Sequence, residues 1–135
     1  MKTEDLQAAI ALSPFTELLG LRIEAFDAHN AELLVRMPYR KDLARIAGEP
    51  TFHGGAIAAM VDTSASFLVA ALAETAAPTA NFRTDFLKPA SGNSLLARAH
   101  CRRKGKRIAF VDVDVYDENS TVCAIGRGTF LCANG

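Results

Sequence analysis

Residues 53–72 read HGGAIAAMVDTSASFLVAAL, a run in which Asp62 is the one charged side chain. Its length and composition predict a helix that begins at His53 or Gly54 and ends near Leu72. Apolar or small residues lie nearly all around this helix, and a helix without a polar face must be enclosed by other elements. A carboxylate at the centre of a bilayer would cost about 2.5–3.5 kcal/mol, so the pattern indicates the buried helix of a soluble protein and no membrane span.

Strand-like segments lie on both sides of this helix in the sequence. Two precede it, residues 21–26 and 31–37, and four follow it, residues 79–87, 94–102, 107–116 and 121–132. A helical segment over residues 1–19, restarted at Ser13-Pro14 and with Thr3 as the expected cap of its first part, comes before them. Short links favour antiparallel pairing of the last four strands. We predict a single α+β domain, residues 1–135, in which an antiparallel sheet of about six strands wraps around one long central helix.

Charge and cysteine content narrow the classes of function. Fifteen basic residues balance fifteen acidic ones, so the total charge gives no reason to expect nucleic acid or an anionic membrane as a partner. The three cysteines are odd in number and form no disulfide pattern, which is typical of a reducing compartment. The acidic start of the chain is unlike a signal peptide, and we therefore expect a cytoplasmic protein.

The first residues of the predicted helix, His53-Gly54-Gly55, carry the first chemical signal. Glycine is unfavourable inside a helix, so two in succession suggest that another group comes close to the backbone. The first N–H groups of a helix have no partner within it and can hold an oxyanion or a polarised carbonyl. A glycine pair at this position can equally be a structural join.

Asp62 carries the second signal. A carboxylate on a helix that is otherwise buried must be paired, solvated or functional, and a functional one can act as a general base. The flanking turns offer no cation to pair with it, which weakens the alternative of a purely structural hydrogen-bonded aspartate. Nine residues separate His53 from Asp62, roughly 13 Å along one helix, so the two cannot flank one carbonyl within one subunit. Two antiparallel helices related by a two-fold axis would bring them together, which predicts a dimer with two shared sites.

These residues resemble the hotdog-fold acyl-CoA thioesterases of the phenylacetate-degradation (PaaI-like) subgroup, in which His-Gly-Gly opens the central helix and an acidic residue follows. Residues 53–62 carry that motif here. The likeness extends over roughly residues 15–132 and includes residues 81–90 (NFRTDFLKPA), Gly92, residues 104–107 (KGKR) and residues 126–130 (GRGTF). The resemblance implies a hotdog fold for the predicted sheet and helix.

The resemblance also implies a reaction, the hydrolysis of an aryl-CoA or medium-chain acyl-CoA thioester to free acid and CoA without a metal or other cofactor. The backbone N–H of Gly54, with that of Gly55, would polarise the carbonyl, and Asp62 of the partner subunit would act as base or nucleophile. His53 would order the loop and the start of the helix. Such an enzyme would be a homodimer or a dimer of two such dimers.

One position departs from the family pattern. Many relatives carry Asn or Gln six residues before the histidine, where this chain has Ala47, so the residue that positions the water is in question. Thr79 and Ser66 are the candidates to replace it, although both can also be ordinary strand and helix residues. Phe82, together with Phe52, Phe67 and Phe86, can line an aromatic acyl pocket, but a hydrophobic core also accounts for these rings.

A cluster of cations surrounds Gly105 in a predicted hairpin turn: Arg102, Arg103, Lys104, Lys106 and Arg107. CoA carries a 3′-phosphate and a pyrophosphate, which such side chains can bind, and a solvated turn is the alternative. Nucleic acid is a weaker option because the turn has no stacking aromatic residues. Two other functions stay open: a non-catalytic acyl-CoA sensor, and a hotdog hydratase or dehydratase, which the wide spacing of His53 and Asp62 disfavours. No histidine has metal-ligand spacing, so we expect no metal site.

Overall fold

The computed structural model describes residues 2–132. Two short helices, α1 (Thr3–Ile10) and α2 (Pro14–Leu19), precede the strands β1 (Arg22–Asp27) and β2 (Glu32–Pro38). A 3₁₀ turn (Lys41–Leu43) leads to the long helix α3 (Gly54–Ala73), and the strands β3 (Thr79–Phe86), β4 (Ser94–Lys104), β5 (Ile108–Tyr116) and β6 (Val122–Leu131) follow. The predicted order of helices and strands is confirmed, with most boundaries within two residues.

The six strands form one antiparallel sheet in the order β1-β2-β4-β5-β6-β3. After α3 the chain does not return beside β2. It crosses to the far side of the sheet, where β3 pairs with β6. β1 and β3 are therefore the two edge strands, and β3 has only β6 as a neighbour.

Helix α3 lies across the inner face of this sheet. Its sheet-facing side chains, among them Met60, Val61 and Leu68, are at most 1% exposed. Packing is closest at Gly126 on β6, where a Cβ atom would come within 2.5 Å of Val61 Cγ1 and 2.9 Å of Arg83 O. The helix can approach the sheet this closely because residue 126 has no side chain. Although α3 is long and apolar enough to cross a membrane, 56% of its apolar window is buried within the fold. The interpretation as an enclosed core helix is confirmed.

The N-terminal segment differs from the prediction in one detail. Thr3 is the first residue of α1 and not its cap, because Lys2 holds that position and donates its backbone N–H to Asp5 Oδ2 at 2.9 Å. The restart at Ser13-Pro14 is confirmed. The Ser13 hydroxyl accepts the N–H of Thr16, and Gly20, at φ +68°, ends α2 in the left-handed conformation that favours glycine.

Candidate active site

The start of α3 is organised by His53. Its backbone is extended, at φ −63° and ψ 138°, and its Nδ1 accepts the N–H of Gly55 at 2.8 Å. The His53 carbonyl accepts the N–H groups of Ala56 and Ile57 at 3.0 and 3.2 Å. Of the four N–H groups that a helix leaves free at its start, the one at Gly54 is the remaining donor, with no hydrogen-bond partner within residues 2–132.

Open space adjoins this free donor. A cavity of about 420 Å³ borders Gly54, and its walls include Phe52, Phe86, Lys88 and Arg45. The Phe86 ring, at the end of β3, lies 3.5 Å from where a Cβ atom on Gly54 would stand. The free donor thus belongs to a residue that borders a cavity.

Asp62 lies two turns further along α3 and is half-buried. Thr79, the first residue of β3, donates its hydroxyl to Asp62 Oδ1 at 2.6 Å. Within the described part of the chain Asp62 forms no ion pair, and its Oδ2 has no hydrogen-bond partner. One carboxylate oxygen is thus held in place while the other is free to accept a proton.

Gly54 and Asp62 are separated by eight residues, about 12 Å along the helix axis. Strand β3 runs beside this part of α3 in the opposite direction. Its start, at Thr79, contacts Asp62, and its end, at Phe86, contacts Gly54. Gly54 and Asp62 therefore lie at opposite ends of one edge strand and do not meet within one chain.

Ser66 and Thr79, the two candidates to position the water, make different contacts in the structure. The Ser66 hydroxyl donates to the carbonyl of Ala77 at 2.7 Å, so it ties α3 to the connection that leads into β3. Its side chain also borders a second cavity, of about 430 Å³, between α1 and α3. Ala47 lies in an exposed turn before α3. Thr79 is the one of the two candidates that contacts Asp62.

The four phenylalanines named as a candidate pocket do not line one cavity. Phe52 is 2% exposed, packs edge-on against Tyr39 and borders the cavity at Gly54 together with Phe86. Phe67 borders the cavity between α1 and α3. Phe82 borders neither cavity and is 37% exposed on β3. The rings thus border different cavities of one chain, and an aromatic acyl pocket formed by them stays a prediction.

All five cations of the basic turn are exposed between β4 and β5. Arg102 points to the outer face of the sheet, where its Nε lies 3.6 Å from Asp112 Oδ2. The other four form no ion pair within residues 2–132. The turn lies at the end of the sheet where β3 begins, because Cys132 N–H donates to Arg107 O and Leu131 N–H donates to Pro78 O. Cations and Asp62 therefore share one end of the sheet.

On the outer face of the sheet, an ion pair shifts the pKa of one carboxylate. Arg127 donates to both carboxylate oxygens of Asp112, at 2.6 and 3.0 Å, and this bidentate contact lowers the pKa of Asp112 below its ordinary value. Within residues 2–132 no three His, Cys, Asp or Glu side chains form a cluster that could hold a metal ion.

The surroundings of two polar side chains near the site could not be predicted from the sequence. Asp117, in the turn after β5, binds Lys88 Nζ at 3.1 Å and so fixes the segment that follows β3. The Thr84 hydroxyl, in the middle of β3, is buried and has no hydrogen-bond partner within the described residues. The contact between Asp117 and Lys88 and the surroundings of Thr84 depend on how distant strands meet, so no local motif predicts them.

Comparisons with known proteins identify the family of this chain. A family model of the thioesterase superfamily matches residues 49–124, more than half of the chain, and the chain belongs to this superfamily. A Sulfurisphaera tokodaii protein provisionally named an esterase is 34% identical over 110 residues, which cover 82% of this chain and 80% of the relative. The predicted hotdog thioesterase family is confirmed, and the protein is a thioester hydrolase.

Two further proteins are similar to this chain over most of its length. The medium/long-chain acyl-CoA thioesterase YigI of Salmonella typhimurium is 23% identical over 87% of this chain and 84% of its own length. The structure of the Escherichia coli PaaI protein, from the phenylacetic acid degradation operon, superposes with a TM-score of 0.81 at 22% identity. That superposition covers 100% of this chain and 98% of PaaI, and it shares the α+β hotdog architecture.

Proposed function

We propose that this chain hydrolyses aryl-CoA or medium-chain acyl-CoA thioesters at sites that two subunits share. The observation that carries the proposal is the placement of Asp62 and Gly54 at opposite ends of β3. The activity of YigI and the operon of PaaI support acyl-CoA as the substrate class. The three cysteines are free, which supports a cytoplasmic location.

Strand β3 has the properties of a pairing edge. Seven of its eight residues are exposed, and its outer edge has no partner within residues 2–132. Unpaired backbone groups on such an edge are a template for a further strand. Antiparallel pairing of two β3 strands about a two-fold axis near the middle of β3 would place the start of one beside the end of the other.

This pairing would assemble the reaction centre. Asp62, held by Thr79, would lie across from the partner subunit's Gly54, which adjoins the partner subunit's Phe86. The other edge strand, β1, has neither group at its ends, so pairing there would leave the two apart. A dimer through β3, alone or as half of a dimer of dimers, is thus the assembly that completes the site.

The chemistry follows from these two groups. The thioester carbonyl accepts a hydrogen bond from the partner subunit's Gly54 N–H, at the positive end of the helix dipole, where negative charge develops in the transition state. The free Oδ2 of Asp62 takes a proton from a water that attacks the carbonyl carbon, or attacks the carbon itself. In the base route the C–S bond then breaks and the proton held by Asp62 goes to the sulfur, so CoA leaves as the thiol. In the nucleophilic route CoA leaves as the thiolate, and a water then hydrolyses the mixed anhydride to free acid and restores Asp62. No step calls for a cofactor.

The remaining residues have supporting roles in this proposal. Gly55 is the weaker oxyanion donor because His53 Nδ1 already accepts its N–H. His53 therefore fixes the helix start. Arg103, Lys104, Lys106 and Arg107, with Arg102 on the outer face, supply cations for the CoA phosphates at the Asp62 end of the sheet.

The substitution Asp62→Asn tests this function. The amide keeps an oxygen for the Thr79 hydroxyl but cannot accept a proton, so kcat/KM for acyl-CoA should fall by about 100-fold or more. The measurement is thiol release from phenylacetyl-, benzoyl- and straight-chain acyl-CoA substrates. Asp114→Asn, on a half-buried aspartate of the outer face of β5, is the matched control. Hydrolysis by Asp62→Asn at the wild-type rate would contradict the proposal.

A further inference from the structure

We propose that the basic turn and the apolar residues beside it form a docking surface for the anionic face of a lipid bilayer. The chain would bind the membrane peripherally, with its cations at the lipid phosphates and two aliphatic side chains at the boundary with the hydrocarbon. The cations proposed for the CoA phosphates thereby have a second ligand of the same chemistry. The inference goes beyond the proposed function and does not depend on Asp62 or Gly54.

Three exposed apolar residues lie side by side at the end of the sheet where β3 begins. Ile108 and Leu131 are partners in the register of β5 and β6, and they are 39% and 46% exposed. Leu131 donates its N–H to the carbonyl of Pro78, which is also exposed. Their strand neighbours Ala109 and Phe130 are fully buried, so Ile108 and Leu131 point to the outer face. Adjacent apolar residues with a polar rim are typical of an interaction surface.

The cations of the basic turn form that rim. Lys106 and Arg107 directly precede Ile108 in the chain, and all five cations are exposed. Among residues 2–132, the one carboxylate that pairs with a cation of this turn is Asp112, which Arg127 already binds. The neutral total charge of the chain therefore includes a local excess of positive charge. Each Lys or Arg close to an anionic bilayer strengthens binding by about 5-fold.

The backbone and side chains here favour a bilayer over a peptide or a nucleic acid. In the described sheet β4, β5 and β6 are interior strands, paired on both sides, so this end offers an extended peptide no free edge. Nucleic-acid bases stack on aromatic rings, whereas the exposed residues beside the turn are aliphatic. Ile and Leu side chains transfer favourably to the hydrocarbon boundary of a bilayer, and cations beside them reach its phosphates.

The dimer of the proposed function would present two such surfaces on one side. Strands that pair in one sheet share its two faces, so the outer face of one subunit would continue into that of its partner. Ile108 and Leu131 lie on this face in each subunit. Two attachment points on one assembly bind a surface more tightly than one does. The docking of a single subunit does not require this pairing.

Co-sedimentation with vesicles tests the docking surface. The wild type should bind vesicles in which about a third of the lipid is phosphatidylglycerol about 10-fold more tightly than vesicles of phosphatidylcholine alone. Lys106→Glu reverses a charge and Leu131→Ser removes an apolar contact, so each should weaken binding to the anionic vesicles by about 5-fold or more. Lys41→Glu and Leu12→Ser are the matched controls, because both residues are exposed but lie outside this surface. Thermal melting of each variant establishes that it is folded.

Three results would overturn the proposal. The first is equal binding of the wild type to the two kinds of vesicle, or an equal loss in the control variants. The second is weaker binding by Lys106→Glu but not by Leu131→Ser, which would show cations that bind phosphate without an apolar contact to the bilayer. The third is tighter binding of the wild type to a single-stranded oligonucleotide than to the anionic vesicles. The assay contains no thioester, so each result leaves the proposed hydrolysis to its own test with Asp62→Asn.

Discussion

Gly54 would act through its backbone, because the donor that its position supplies is an N–H group. A side chain there would not collide with its own subunit, since the atoms nearest to a Cβ at this position would be those of Phe86 at 3.5 Å, an ordinary contact. Any requirement for glycine thus comes from what approaches from outside. Gly55 is different, because a Cβ there would lie 3.0 Å from His53 Nδ1 and disturb the contact that orders the helix start.

Proline at residue 54 isolates the role of this N–H. Residue 54 is the first of α3, where proline is well tolerated, and His53 already has the extended backbone that a following proline requires. We expect Gly54→Pro to fold and to lose about 100-fold or more in kcat. Gly54→Ala retains the N–H and should keep most of its activity. Equal activities of the two variants, measured by thiol release, would exclude the backbone donor.

The sequence could predict which residues carry chemistry but not what each one contacts. Asp62 stands out as the one charge in an apolar helix, and His53-Gly54-Gly55 as a helix start, so composition alone identifies both. The pairing of Asp62 with Thr79 depends on how β3 lies against α3, which is a tertiary property. The use of the Gly55 N–H by His53 depends on a side-chain rotamer. The resemblance named Thr79 as a candidate to position the water and His53 as the residue that orders the helix start, but neither contact could be predicted for these reasons.

At the level of whole elements, α3 was predictable because it is a long apolar run, and the strands were predictable because apolar and polar residues alternate along them. Val111, Val113 and Val115 alternate with polar residues in β5, and this alternation survives in the structure as buried and half-buried positions. The place of β3 at the edge was not predictable. Strand order depends on the crossover after α3, and no local signal distinguishes a chain that returns beside β2 from one that crosses to β6.

The turn between β5 and β6 is held by the carboxylate of Asp117. Asp117 is 9% exposed, and its Oδ1 accepts the N–H groups of Asn119 and Thr121 at 2.9 and 3.0 Å. The backbone N–H of Thr121, followed by the bond from Lys88, lowers the pKa of Asp117 below its ordinary value. The charged form is therefore favoured in the folded chain. Its contribution to stability is present above the pKa of the unfolded chain and is lost as the pH falls through the lower folded-state pKa.

We expect Asp117→Asn to lower Tm at neutral pH, because the amide cannot reproduce the charge that the turn and Lys88 bind. The difference from the wild type should shrink as the pH falls below about 4, where the carboxylate begins to take up a proton. Thermal melting across this range is the measurement, with Asp42→Asn, on an exposed residue, as the control. A difference in Tm that does not change with pH would contradict the assigned role of the charge.

At the scale of the whole molecule, the proposed function requires each chain to contribute one half to each of two different sites. Each chain carries Gly54 at one end of β3 and Asp62 at the other, and pairing through β3 would create two centres, each with one group from either subunit. If the site lay within one chain, a chain with either substitution would stay inactive whatever its partner. If the site is shared, two chains with different substitutions can form one intact site between them.

Mixing two inactive variants distinguishes these cases. In a dimer of Asp62→Asn with Gly54→Pro, one centre combines the intact Asp62 of the second chain with the intact Gly54 of the first, and the other centre carries both changes. Half of the dimers in an equal mixture are of this kind, so about one quarter of the wild-type activity should return when the chains are refolded together. Refolding Asp62→Asn with a chain that carries both substitutions is the control and should restore nothing. If the first mixture also stays inactive although size measurements show mixed dimers, Asp62 and Gly54 do not serve one centre from two subunits.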